Sequence, residues 1–257
     1  ISGATFNANN AANYNGLAIW IARTGLKLAG GNTFEKNNGS AIFAINDFTI
    51  SGDTNTFANN DTDISLAMNA KVLRTGNQAK EAMSMSINVD CTDGRVVVES
   101  ETVYTDWSKI TLTNECAKLI KNSANTKQLI ISNFTFTIVF NKKNTSATGT
   151  MENQSAKCNN ALTLTANTFA STGYTFAGWT TKSDGTGNSY TDKQVFANAN
   201  TLFKANGLTD GGTLNLYAKW TPISYTVTYN ATENGGSTAE QTQTVEYGAE
   251  VDLSLSA

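Results

Sequence analysis

Five ionisable residues in the first third of the chain have the types that glycosidic chemistry uses: Asp47, Asp53, Asp61, Asp63 and Arg74. Asp61 and Asp63 stand two apart, so in a strand they share a face. Clustered carboxylates beside an arginine would suit a polysaccharide lyase or hydrolase, in which one acid donates a proton and a second acts as base or nucleophile at a fixed separation. An Asp-x-Asp pair in an Asn- and Thr-rich turn is more often a solvated corner, and that reading is preferred. The sequence contains no His, which removes Ser-His-Asp triads, histidine metal sites and imidazole acid-base catalysis in one step. Calcium is the next possibility, since Asp53, Asp61, Asp63 and the loop Asp184-Gly185-Thr186-Gly187-Asn188 offer oxygen ligands. None of these follows the spaced D-x-D-x-D-G loop with its terminal Glu. No catalytic residue, cofactor or metal ligand is expected.

Binding chemistry is carried instead by aromatic residues. Tyr14, Trp20, Tyr104, Trp107 and Tyr190 would stack on a sugar or anchor a protein if exposed. Trp179 and Trp220 close apolar strand patterns and read as core.

Composition narrows the class further. Charged residues make up 15 % of the 257 residues, well below the usual quarter, so the surface is built from Asn, Thr, Ser and Gln, as in secreted β-proteins. The net charge of −3 lacks the basic footprint of a nucleic-acid binder. Cys91, Cys116 and Cys158 are widely spaced with no C-x-x-C, so either one disulfide plus a thiol or three buried thiols is compatible with the sequence. No apolar run reaches the roughly 20 residues that span a bilayer, and no signal peptide opens the chain. The chain reads as a fragment of a longer polypeptide.

The elements that must position these residues begin with a repeat. Phe6-Asn7-Ala8-Asn9, Phe34-Glu35-Lys36-Asn37 and Phe57-Ala58-Asn59-Asn60 recur at 28 and 23 residues, about one turn of a right-handed parallel β-helix. In such a coil each rung lies about 4.8 Å above the last, so Phe would stack inside and Asn would ladder at a bend in left-handed backbone. With Gly16-Leu17-Ala18-Ile19 and Gly39-Ser40-Ala41-Ile42, the motifs resemble the F-x-x-N and G-G-A-I repeats of polymorphic outer-membrane-type adhesins. Residues 1–70 are assigned to β-helix rungs and 71–133 to further rungs or a cap, with a cap preferred. Within the latter, Met83 to Cys91 alternates as a strand and Asp93-Gly94 predicts a hairpin turn into Val96-Val97-Val98. Leu112, Cys116, Leu119 and Ile120 have helical spacing.

From Phe134 the pattern changes. Phe136, Ile138 and Phe140 alternate, and Leu162 and Leu164 are expected to return as the second strand of a hairpin. Gly173-Tyr174-Thr175-Phe176-Ala177-Gly178-Trp179 predicts a strand with a bulge at Gly178 that brings Trp179 back to the face of Tyr174 and Phe176. Thr191-Asp192-Lys193-Gln194 matches a capping box, predicting a short helix through Val195, Ala199, Leu202 and Phe203 that ends at Asn206-Gly207. Leu214, Leu216, Ala218 and Trp220 then alternate as a half-buried strand. The Gly-Trp closure and the final Leu-Tyr-Ala-Lys-Trp-Thr resemble the Listeria-Bacteroides repeat, a B-repeat type module of bacterial surface proteins. That resemblance implies a β-grasp-like fold and a place outside the cell. It covers residues 134–221, and residues 225 to 255 align with 136 to 166 at a constant offset, so 222–257 reads as a truncated second copy.

The expected fold class is mainly β, a right-handed parallel β-helix segment followed by small β-grasp-like α+β repeats. The expected function is non-catalytic: an adhesin-like, extracellular cell-surface or secreted segment that contacts a host or neighbouring-cell protein or glycan, or associates with itself. Neither nucleic-acid binding nor a membrane span is expected in this fragment. A carbohydrate-active β-helix enzyme with accessory repeats and a filament or sheath subunit are the alternatives.

Overall fold

The computed structural model describes residues 1, 3–7, 18–51, 55–67, 70–75, 84–101, 107–229 and 241–251. Contacts divide the chain into two compact units, residues 1–134 with 157–159, and residues 135–156 with 160–257.

The first unit is a parallel β-solenoid of about three turns. Its first turn supplies β1 (Thr5–Asn7), β2 (Ile19–Ile21) and β3 (Lys27–Leu28). The second supplies β4 (Thr33–Glu35), β5 (Ser40–Ala44) and β6 (Phe48–Ser51). The third supplies β7 (Thr56–Ala58), β8 (Thr62–Leu66) and β9 (Val72–Thr75). Each strand pairs in parallel with its counterpart one turn later, as in Phe6↔Phe34 and Phe34↔Phe57. The sheets continue through β10 (Met85–Val89), β11 (Val96–Ser100) and β12 (Ile110–Leu112), with β10 and β12 on the β2 face and β11 on the β3 face. The antiparallel hairpin β13 (Ala117–Lys121) and β14 (Gln128–Asn133) then lies along β11. Segment 71–133 thus contains both further rungs and a covering hairpin. Leu119, Leu129 and Ile131 of that hairpin are buried in the solenoid core.

Stacking holds the coil together. The Phe6 and Phe34 rings lie 4.8 Å apart at 5°, and the Phe34 and Phe57 rings 4.9 Å apart at 11°, a spacing that matches the distance between paired strands. Phe34 is fully buried between its partly buried neighbours. The Asn ladder follows, since Asn37 donates Nδ2–H to Asn60 Oδ1 at 2.8 Å, while Asn60 donates to Phe34 O at 3.1 Å. Asn9 lies outside the described residues. The left-handed residue is not this Asn but the one before it, Lys36 and Asn59, each at φ 53°. The Asn amide satisfies the bent backbone from the adjacent position.

A second ladder was not anticipated. Asn32 donates its backbone N–H (3.2 Å) and Nδ2–H (2.7 Å) to Asn55 Oδ1, and its own Oδ1 accepts the Ala4 N–H (3.2 Å). Both side chains are buried. The signal lay in Asn-Thr-Phe, repeated at 32–34 and 55–57. Replacing Asn55 by Ala strands the buried backbone N–H of Asn32, whose Nδ2 keeps the carbonyls of Ala29 and Ile1, so the solenoid is expected to lose about 1–3 kcal/mol. Urea denaturation checks this, and an unchanged midpoint would show the ladder to be energetically idle.

Two expectations in this unit fail. Asp93-Gly94 is not a hairpin turn: β10 and β11 belong to different sheets, and the turn is a corner of the coil. Each flanking strand takes its partners from neighbouring rungs, so a turn-compatible dipeptide did not imply pairing across it. The spacing of Leu112 to Ile120 is likewise not helical, because those residues fall on β12 and β13.

The second unit is built on a five-stranded mixed sheet. It comprises β15 (Thr135–Asn141), β16 (Gln154–Lys157), β18 (Tyr174–Thr180), β19 (Ser189–Tyr190) and β21 (Gly212–Pro222), in the order β16-β15-β21-β18-β19. β15 and β21 are parallel, and β18 runs antiparallel to β21. The partner of β15 across the first connection is β16. Leu162 belongs instead to β17 (Leu162–Thr163), which pairs with β20 (Val195–Phe196). The expected 136–140 to 162–164 hairpin is therefore corrected. Its Leu pair has the right period, but its backbone bonds go elsewhere.

The helix is also shorter and later than expected. Gln194 Oε1 does accept the Thr191 N–H at 2.9 Å, as a capping box would. The turn then delivers β20, and α1 spans Asn200–Ala205 with its C-cap at Asn206. The bulge is present. The register of β18 shifts between Phe176 and Gly178, Gly178 has φ +114°, and the Phe176 and Trp179 rings lie 4.9 Å apart. Trp179 is fully buried, with Phe140 at 4.9 Å and Phe169 at 6.1 Å. Trp220 packs edge-on to Phe176 at 5.7 Å.

The second copy begins at β22 (Ser224–Tyr229) and β23 (Gln241–Glu246), an antiparallel hairpin. Shifted by 89 residues, these strands overlie β15 and β16.

Candidate functional site

The outward face of the solenoid carries Trp20, the most exposed of the predicted aromatic residues among those described. On β2, Ile21 points into the core while Trp20 is 56 % exposed. Its register partner one rung on is Phe43, which is partly buried between the inward-facing Ile42 and Ala44. Strand alternation thus sets two aromatic residues side by side on adjacent rungs, about 4.8 Å apart.

Of the other predicted residues, Trp107 and Tyr190 do not join them. Tyr14 and Tyr104 lie outside the described residues. Trp107 is partly buried, packs against the solenoid core, and has Lys121 Nζ 5.2 Å from its ring centre. It precedes β12, at the opposite edge of the sheet from β2, roughly 19 Å away at normal strand spacing. Tyr190 belongs to the other unit, where its ring meets Phe196 at 5.8 Å and its hydroxyl accepts from Asn206 Nδ2 at 2.9 Å.

The acids considered for catalysis tie one rung to the next. Asp47 Oδ1 accepts the Lys71 N–H at 3.0 Å, and Asp61 Oδ2 accepts the Gly39 N–H at 2.9 Å. Asp63 Oδ2 accepts the Ser86 N–H and hydroxyl at 2.7 and 3.1 Å. Arg74 is buried, and Asp53 lies outside the described residues. In the second unit Asp184 Oδ1 accepts from the Thr186 N–H and hydroxyl at 2.8 and 2.6 Å, which holds its carboxyl below the usual range.

Two grooves were not foreseen. One, of about 570 Å³, lies at a solenoid corner and is lined by Asp47, Lys71, Asp90, Thr92, Asp93 and Arg95. Its charges are largely paired: Lys71 bonds Glu99, and Lys157 bonds Asp93 at 2.6 Å. Arg95 donates to the carbonyls of Asp90 and Ala70, both at 3.3 Å, and burial lowers its pKa. The other groove, of about 550 Å³, lies in the second unit among Phe140, Lys142, Lys143, Met151, Phe169 and Tyr217. Residues from several rungs or strands meet in each groove, so no local motif announced them.

The three cysteines are buried free thiols. Burial, then the neighbouring Asp90 carboxylate, pushes the Cys91 thiol up to about 11. Lys157 and the Asn133 N–H hold Asp93 low, and Lys71 holds Glu99 low. The raised thiol favours folding below its unfolded value of about 8.5, and that contribution fades as pH rises towards 11. The two depressed carboxyls contribute above their unfolded values near 4, and this is lost as pH falls through the lowered values. Stability is expected to plateau between roughly pH 5 and 8. Urea midpoints across pH check it, and a Cys91→Ala protein should lose part of the alkaline fall. An equal alkaline slope in that variant would remove Cys91 from the account.

Near-copy rungs in one unit, and a hairpin that recurs 89 residues later in the other, define a β-rich repeat protein. Residues 136–206 and 225–256 match the family model of the Listeria-Bacteroides repeat domain, so the chain carries Listeria-Bacteroides repeats alongside its β-solenoid. Such repeats are typical of surface and extracellular proteins, and together with the β-solenoid they point to a surface-associated repeat protein. No curated protein and no solved structure matches it. Among the described residues no helix is long and apolar enough to cross a membrane, which says nothing of a β-barrel.

Proposed function

We propose that the chain is a non-catalytic, adhesin-like binding segment of an extracellular protein, contacting glycan or protein through the outer face of its solenoid. The observation that carries this reading is the exposed Trp20 beside Phe43 on adjacent rungs. Aromatic faces stack on the C–H faces of sugars and anchor protein contacts at low entropic cost. Turnover is disfavoured because Asp47, Asp61 and Asp63 already accept bonds from the neighbouring rung, whereas an acid-base pair must face the substrate. A β-grasp-like fold for the repeat is supported by its parallel first and last strands, β15 and β21. The partner is a glycan or protein rather than nucleic acid, in keeping with the net charge of −3.

Glycan-array and cell-binding measurements on the full chain test the reading. Trp20→Ala should lose most of the signal while keeping the far-ultraviolet spectrum. Binding that survives Trp20→Ala would move the contact elsewhere. Release of cleaved oligosaccharide would favour the carbohydrate-active enzyme, and a concentration-dependent rise in mass would favour the filament subunit.

A further inference from the structure

The connection between the two repeats is one residue long. β21 ends at Pro222 and β22 starts at Ser224. Both backbone groups of the intervening Ile223 are used: its N–H donates to Gly173 O at 2.9 Å, and its carbonyl accepts the Tyr247 N–H at 2.8 Å. The same bond occurs 89 residues earlier, from the Cys158 N–H to Phe134 O at 2.8 Å. It is therefore a feature of the repeat, while the side chain at that position changes.

At the second copy the side chain is an aromatic ring, and it meets a site that only glycine provides. A Cβ on Gly173 would fall 2.2 Å from Cγ and Cδ1 of Tyr247 and 2.4 Å from Cδ2, so the ring lies flat over the bare α-carbon. Gly173 has φ +77°, a conformation that side chains strain. The neighbouring Tyr174 ring stands edge-on to Tyr247 at 5.6 Å and 73°. Tyr247 remains 42 % exposed, as expected of a ring covered on one face.

We propose that Gly173 and Tyr174 form a socket on one repeat for an aromatic residue at the Tyr247 position of the next, and that consecutive repeats of this protein are thereby locked as a pair. The partner is another Listeria-Bacteroides repeat with an aromatic side chain one residue after its second strand. A two-residue-wide contact suffices because the one-residue link already supplies the register and removes most of the freedom that docking would cost. This inference does not depend on whether the solenoid binds glycan.

An isolated two-stranded hairpin is marginal in water, so amide protection in β22 and β23 reports the joint. Hydrogen exchange on the full chain should show those amides protected in the unaltered protein. In Tyr247→Ala they should exchange about tenfold faster or more, with β15, β18 and β21 unchanged, while Tyr247→Phe should keep the protection. Gly173→Ala should loosen the same hairpin by pushing the ring off. Equal protection in the unaltered chain and Tyr247→Ala, at either a fast or a slow rate, would overturn the proposal. Loss of protection in Tyr247→Phe as severe as in Tyr247→Ala would do the same.

Discussion

Phe34→Ala is expected to cost the solenoid about 3–5 kcal/mol, the range for deleting a fully buried aromatic ring. The upper half of that range applies for a geometric reason. Phe34 has a ring on each face, at 4.8 and 4.9 Å, and stacked aromatic pairs contribute about 0.5–1.5 kcal/mol each beyond the area they bury. The gap cannot close by sliding Phe6 and Phe57 together, because each is fixed to its own rung by the parallel register. Phe34→Leu should recover much of the volume but neither stack, and so fall between. Phe6→Ala should cost less, since Phe6 is partly buried and stacks on Phe34 alone among the described rings. Native-state hydrogen exchange read over β4 to β9 checks the order. A Phe6→Ala cost equal to that of Phe34→Ala would mean that the column acts as separate hydrophobic contacts rather than as a stack.

The column was legible before any coordinates because its signal is redundant: the same residue type returns at a near-constant interval, and stacking demands identity. The Gly178 bulge was legible for a related reason, since Tyr174, Phe176 and Trp179 can share a face only if one residue is inserted. Pairing was harder to read. Asp93-Gly94 and the Leu162 strand both have sound local chemistry, yet a turn or a period says only that a strand exists, and its partner is chosen by distant segments. In a solenoid that partner is a rung away. In the repeat it is β20, some thirty residues on. The candidate site divides in the same way: Trp20 could be named from its residue type and alternation, whereas Phe43 joined it only through register. The groove at Arg95 draws on three segments and that at Tyr217 on five, and neither had a sequence signature.

The bulge also sets the second large expected effect. Gly178→Ala should destabilise the first repeat by about 3 kcal/mol or more, approaching the cost of deleting the Trp179 ring itself. At φ +114° an added side chain brings about 1–3 kcal/mol of backbone strain. Its Cβ would also lie 2.6 Å from Tyr190 O, a backbone atom that cannot rotate away. Relief requires β18 and β19 to separate at Trp179↔Tyr190 or the bulge to unwind. Unwinding shifts register by one residue and turns Trp179 away from Phe140, Phe169 and Phe176, which exposes the largest buried side chain of the chain. Separation instead loosens Tyr190, whose hydroxyl holds Asn206 at the end of α1. Both routes lead from one added methyl group to the centre of the core, so Gly178→Ala and Trp179→Ala should each raise amide exchange throughout β15, β18 and β21. Gly185→Ala is the control: it also has positive φ, +90°, but its nearest neighbour is the flexible end of Lys143 at 3.8 Å. Its cost should stay within the strain range alone. If Gly178→Ala proved no worse than Gly185→Ala, the bulge would not be what holds Trp179 in the core.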